Sequence, residues 1–272
     1  MIPPRSSNLR PPRRSPRGLP LRAVAPNAIT ALALCAGLSG VRFAIGGRWE
    51  LAATMVVLAG ALDGIDGRIA RLLRGESRFG AELDSLADAI SFGVAPALIL
   101  YLWSLSLIQP IGWLCALIFA VFCALRLARF NARIDEQDQP HKSAGFNTGI
   151  PAPAGAGLAL TPLFLWLVTG EDTLRSPYLV APWTALIALL MVSSLATFSW
   201  NSFRLRRNVR FEALALVVVI FAALVTAPWV TLSAVALTYL ATLPFSVAAY
   251  AKVRRLRAGG GSAAAPEPTP SG

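Results

Sequence analysis

Charge is what this 272-residue chain has least of: only 14% of its residues are Asp, Glu, Lys or Arg, against 55% hydrophobic. Soluble domains carry about 25% charged and about 45–50% apolar residues, so a water-soluble globule is excluded. Histidine occurs once, and cysteine three times, at Cys35, Cys115 and Cys123, all inside apolar blocks and without CxxC or metal-ligand spacing. That scarcity argues against disulfide pairing and leaves the cysteines as small packing residues. His141 shares a loop with Asp135, Glu136 and Asp138 and reads as a solvated surface residue. The first 22 residues combine Pro, Ser and Arg and lack the apolar core of a cleaved signal peptide.

What is there instead is long apolar runs, and the mean hydropathy is +0.59. Reading these runs against their Pro, Gly and charge punctuation predicts an all-α, polytopic membrane bundle of about eight transmembrane helices. They cover Pro26–Ile45, Glu50–Arg71, Gly80–Leu107, Ile111–Phe130, Ala154–Gly170, Tyr178–Trp200, Glu212–Val225 and Val230–Val253. The organisation is a basic segment over 1–25, a six-helix core over 26–200, two further helices over 201–254 and a disordered tail over 255–272. Trp49, Trp103, Trp113, Trp183, Trp200 and Trp229 fall near span ends and are expected to anchor at the interface.

The net charge of +11 is distributed by loop, which excludes a nucleic-acid-binding face. One set of loops holds Arg68, Arg71, Arg74 and Arg78, then Arg126, Arg129, Arg133 and Lys142, then Arg204, Arg206, Arg207 and Arg210. The other holds Arg42, Arg48 and Arg175. The positive-inside rule therefore places both termini in the cytoplasm.

Acids inside the spans carry the chemical signal, because each charge costs about 2.5–3.5 kcal/mol at a helix centre. Asp63 and Asp66 are three apart, and Gly67, Ala70 and Arg71 follow on the same helical face. Gly80, Asp84 and Asp88 recur every four residues on the next helix. A turn near Gly75 makes the two helices antiparallel neighbours, so four carboxylates converge towards the cytoplasmic side. A salt-bridge network with the loop arginines is one account of them. Most of those arginines lie towards the loop, so hard divalent ions, Mg²⁺ or Mn²⁺, explain a carboxylate cage without His or Cys better, and two such ions can clamp a diphosphate during displacement. A third account is a cation-coupled transporter, whose acids would line an ion path.

The spacing D-x2-D-G-x2-A-R-x8-G-x3-D-x3-D, met at every position from Asp63 to Asp88, resembles the CDP-alcohol phosphotransferase family. The resemblance implies transfer of a phosphatidyl or similar group from a CDP-linked donor to an alcohol, with release of CMP. It also implies that Asp63, Asp66 and Asp84 hold two divalent metals, and that Asp88 approaches them and acts as general base. Gly67, Ala70, Arg71 and Gly80 would accommodate the CDP donor. Pro26-Asn27 with Thr30 is similar to the family's PN-x2-T start, so Asn27 and Thr30 would reach the donor or serve as helix-start chemistry. A homodimer and a cytoplasm-facing site in a bacterial-type inner membrane belong to the same implication.

The segments Arg126–Asn131, Gly145–Gly155 and Ser193–Ser199, with two helices beyond a six-helix core, resemble the membrane-type phosphatidylserine synthases within that family. They imply CDP-diacylglycerol and L-serine as substrates. Departures at Ala152, Ala196 and Asn201 leave glycerol phosphate, inositol phosphate or another alcohol open as acceptor. Serine needs its carboxylate matched, and Arg126 and Arg129, with Asn131 nearby, are the expected acceptor-binding residues.

Overall fold

The computed structural model describes residues 21–73, 77–132, 146–193, 196–198 and 210–243. Expectations for the basic segment before residue 21, Arg74, the loop with Arg133, His141 and Lys142, Trp200 and the 255–272 tail lie outside those residues.

Helix dominates because the apolar runs leave backbone groups no polar partner except one another. The order is α1 (Leu21–Ile45), α2 (Trp49–Leu73), α3 (Arg78–Asp88), a π-helical turn (Ala89–Val94), α4 (Ala95–Trp103) and α5 (Ile111–Ala132). Then come α6 (Ala152–Ala159), α7 (Thr161–Thr169), α8 (Pro177–Val192), α9 (Arg210–Thr226) and α10 (Pro228–Leu243). Among the described residues, three stretches are long and apolar enough to cross a membrane: Val24–Ile45, Arg78–Trp103 and Ile111–Ala132. The bent pair α6–α7 would make a fourth. Helix α2 is as long as α1, but its acids and arginines lower its hydropathy.

Four boundaries differ from the sequence expectation, each for a local reason. Helix α1 starts before Pro26, so Asn27 and Thr30 lie inside it and do not cap it. The expected single helix over Gly80–Leu107 persists as one stretch, Arg78–Trp103, but widens at the π turn and ends at Trp103. Pro96 has no N–H to continue the ladder, and the Ala95 N–H reaches back to the Ile90 carbonyl, five residues away. The expected helix over Ala154–Gly170 bends by 40° at Leu160. Pro162 leaves the Leu158 carbonyl without its helical donor, and Trp183 Nε1 donates to that oxygen at 2.8 Å. Trp183 is half-buried against the core and braces the bend, and Trp103, expected at the interface, is 1% exposed and interior. The helix expected to run to Trp200 stops at Val192. Beyond it a three-residue strand, Ala196–Phe198, pairs antiparallel with Phe146–Thr148, the single departure from all-helical structure among the described residues.

The core gathers Phe92, Ile99, Leu100, Trp103, Phe119, Leu163, Phe164 and Ile187 where α4, α5, α7 and α8 meet. Towards α1 and α2 it thins to alanines, Ala36, Ala44, Ala52, Ala53 and Ala59 among them, which let backbones approach. Where α1 passes the π turn, a Cβ on Gly37 would lie 2.7 Å from Ser91 Oγ, so glycine is what lets the two meet. Cys123 packs in the core, whereas Cys35 is exposed on the outside of the bundle and is no packing residue. Leu32, Leu38, Leu114, Leu117, Leu186 and Leu189 also face outward, as lipid-facing positions of a membrane bundle do.

Candidate active site

Helices α2 and α3 bring the expected acids together. One carboxylate oxygen from each of Asp63, Asp66 and Asp84 lies within 4.8 Å of the others. Asp66 is buried, 4% exposed, and Asp63 and Asp84 are half-buried. Asp88, one turn beyond Asp84, lies beside Asp63 and stands within electrostatic reach of Asp84 and of Arg126 on α5. Carboxylates this close need a positive charge between them. The donor set is all oxygen, three ligands converge from two helices, and no described histidine or cysteine joins them, so the residues fit a hard divalent cation.

Several expected donor-binding residues have partners within the protein. Thr30 Oγ1 donates to Asp66 Oδ2 at 2.8 Å, with the Pro26 carbonyl 3.1 Å away as a second acceptor. Thr30 thus orients an acid. Asn27 lies against α3: a Cβ on Gly80 would fall 2.7 Å from Asn27 Oδ1 and 3.1 Å from Ser77 Oγ. Gly80 is a close-approach glycine, and its N–H is capped by Ser77 Oγ at 3.0 Å. Gly67 is different, because nothing lies within 4 Å of where its Cβ would be, and it leaves open space on the acidic face. Arg71 is exposed and its Nε donates to the Gly67 carbonyl of its own helix at 3.0 Å. The side chain of Ala70 lies outside the described residues.

The three expected acceptor residues on the last turns of α5 point to three different places. Arg126 is half-buried, faces Asp88 and holds its guanidinium 5.8 Å from the Phe130 ring centroid. Arg129 Nη2 donates to the Ser193 carbonyl at the end of α8, 3.2 Å away. Asn131 Nδ2 donates to Ser85 Oγ on α3 at 2.7 Å. Ser85 and Ser77 were not singled out by sequence reasoning, and Ser193 entered it only as the start of the Ser193–Ser199 segment. Ser77 is the N-cap of α3, a local signal that the sequence offered, whereas Ser85 lies inside α3, where only the tertiary partner reveals its use.

Residues 23–193 match the CDP-alcohol phosphatidyltransferase family, and residues 208–244 match the related CDP-alcohol phosphatidyltransferase 2 family. A CDP-diacylglycerol–serine O-phosphatidyltransferase of Mycobacterium tuberculosis is 39% identical over 234 residues, covering 86% of this chain and 81% of the relative. Proteins of the same name from Helicobacter pylori and Bacillus subtilis are each 37% identical. The first covers 62% of this chain and 70% of the relative, the second 49% and 67%. The family match takes in more than half of the chain and contains all four aspartates, so the chain belongs to the CDP-alcohol phosphatidyltransferase family.

Proposed function

We propose that this integral membrane enzyme transfers the phosphatidyl group of CDP-diacylglycerol to L-serine, giving phosphatidylserine and CMP. The observation that carries the reading is the convergence of Asp63, Asp66 and Asp84 within 4.8 Å beside Asp88. The similarity to serine phosphatidyltransferases over 86% of the chain supports serine as the acceptor.

In this reading Asp63, Asp66 and Asp84 hold two Mg²⁺ or Mn²⁺ ions, with Asp88 at the edge of the set. Bound there, the ions would neutralise charge on the donor diphosphate. Thr30 holds the Asp66 carboxylate in its ligating orientation. Gly67 leaves room for the nucleotide, with Ala70 and Arg71 on the same face, while Asn27 and Gly80 fix where α3 stands against α1. Asp88 takes the proton of the serine hydroxyl as its oxygen forms a bond to the phosphorus that bears the lipid. The bond from that phosphorus to the CMP oxygen breaks, and CMP leaves with the electron pair. Arg126, facing Asp88, meets the serine carboxylate, and Arg129 closes the wall of the pocket by tying α5 to α8.

The wider assignment has eight spans, both termini and the active site on the cytoplasmic side of a bacterial-type inner membrane, and a homodimer. It keeps the six-helix catalytic core over 26–200 and the two added helices over 201–254. The arginine distribution among loops supports the orientation. The test is incubation of membranes containing the chain with labelled serine, CDP-diacylglycerol and Mn²⁺ or Mg²⁺. Labelled lipid and stoichiometric CMP are expected. Label entering lipid only from glycerol phosphate or inositol phosphate would replace the acceptor. No CMP from any alcohol would overturn the enzyme, since a cation-coupled transporter releases none.

A further inference from the structure

Helix α3 carries two of the four acids, yet little apolar packing holds it. Ala87 is its single buried residue. One residue past Asp88 the chain widens into the π turn, which changes the phase between α3 and α4. Phe92 of the π turn and Ile99, Leu100 and Trp103 of α4 are deeply packed and hold the chain beyond Asp88. On α3 itself the ties are polar. One lies at its start, where Gly80 meets Asn27. The other lies between the two acids: Asn131 Nδ2 donates to Ser85 Oγ at 2.7 Å, and Ser85 Oγ donates to the Ala81 carbonyl at 3.0 Å. Ser85 is one residue after Asp84 and three before Asp88, so a tie there fixes the aim of both carboxylates. The leverage is large. Turning a helix by about 10° moves a group some 6 Å from its axis by about 1 Å, and a misplacement of that size costs about 10²-fold in rate.

We infer that Asn131 is a positioning residue that acts through Ser85 to set the rotation of α3, and that it does not touch the acceptor alcohol. The inference rests on the phosphatidyltransferase reading of the site. It assigns a role to Ser85 and moves Asn131 out of the acceptor pocket.

A double-mutant cycle tests it in membranes containing the full chain. Asn131→Ala and Ser85→Ala are each expected to lower kcat about 10-fold to 100-fold while KM for serine stays within about twofold. The double variant should be no slower than the slower single variant. Ser85→Thr, which keeps the accepting oxygen, should recover most of the rate lost in Ser85→Ala. Independent, multiplying losses, or a raised serine KM in Asn131→Ala beside a normal Ser85→Ala, would overturn the proposal. Asn131→Leu keeps roughly the side-chain volume and removes both donor and acceptor, so that Ser85 cannot rebuild the tie by donating, and it carries the test if the alanine variants fail to accumulate. It should show the same loss in kcat, and an unchanged kcat would refute the relay. Asp88→Asn, run alongside, separates the parent reading. It should abolish turnover yet bind CDP-diacylglycerol, and a normal rate there would remove Asp88 as base without altering how the Asn131–Ser85 coupling is read.

Discussion

At the first turn of α2, Arg175 from the segment before α8 is enclosed. Its guanidinium lies 5.8 Å from the Trp49 ring centroid and 5.9 Å from that of Trp166, and its Nε donates to the Trp103 carbonyl at 2.8 Å. The Ser104 hydroxyl donates to the Arg175 carbonyl at 2.7 Å, so side chain and backbone are both fixed. Beyond the middle of the same helix, about 20–25 Å away by helical rise, Asp63 and Asp66 face Asp84 and Asp88 with like charge and half-open surfaces. Both ends place costly ions in an apolar bundle. One end supplies aromatic faces and a helix C-terminal carbonyl for its cation, while the other leaves its anions to be balanced by something that binds. A charge with its partners built in is architecture, and a cluster without them marks where a ligand belongs.

The largest effect should come from opening the acid end. Asp66→Ala removes the most buried of the converging ligands. Turnover is expected to fall about 10³-fold or more, on the scale of losing a preorganised electrostatic group. Binding of labelled CDP-diacylglycerol should lose its dependence on added Mn²⁺, which is read without turnover. Metal-dependent binding that survives would show that the three carboxylates do not form one cage, and the contrast between the two ends would lose its basis.

Much of the acid end was legible in the sequence because its information is local. Offsets of three and four along two consecutive helices fix which residues share a face, and a short turn fixes that the faces meet. What the sequence concealed depends on partners far along the chain. Thr30 reaches Asp66 across 36 positions, Asn131 reaches Ser85 across 46, and Arg129 reaches Ser193 across 64. Periodicity carries no information about such pairs. Pro96 and Pro162 were visible as prolines, but not that one helix widens, at Ala89–Val94, and the other bends, at Leu160, where the freed Leu158 carbonyl needs a donor. Trp183 plays that part for Leu158, and nothing in its own neighbourhood announces it. The same blindness made Trp103 read as an interfacial anchor.

Thr30→Val sharpens the comparison at intermediate cost. Valine keeps the volume but withdraws the single side-chain donor seen at Asp66, and a hydrogen bond to a charged group is worth about 1.5–3 kcal/mol. The Mn²⁺ concentration giving half-maximal rate should rise about 10-fold to 100-fold, with the saturated rate reduced less. If the metal requirement is unchanged and the KM for CDP-diacylglycerol rises instead, Thr30 meets the donor directly and the orienting bond is incidental.

The smallest effect belongs to the enclosed end, where Arg175→Met should alter stability and leave chemistry alone. Methionine retains most of the apolar stem between Trp49 and Trp166 but loses the charge over both rings and the bond to the Trp103 carbonyl. Those losses amount to about 1–2 kcal/mol, which lowers the midpoint of thermal inactivation in detergent by about 2–8 °C for a chain of this size. Rate per folded enzyme and the Mn²⁺ requirement should match those of the parent, because the site lies several helical turns away along α2. A large drop in rate at unchanged thermal midpoint would mean that the two ends are coupled through α2, and that the arginine cage sets the register of the acids as well as the stability of the bundle.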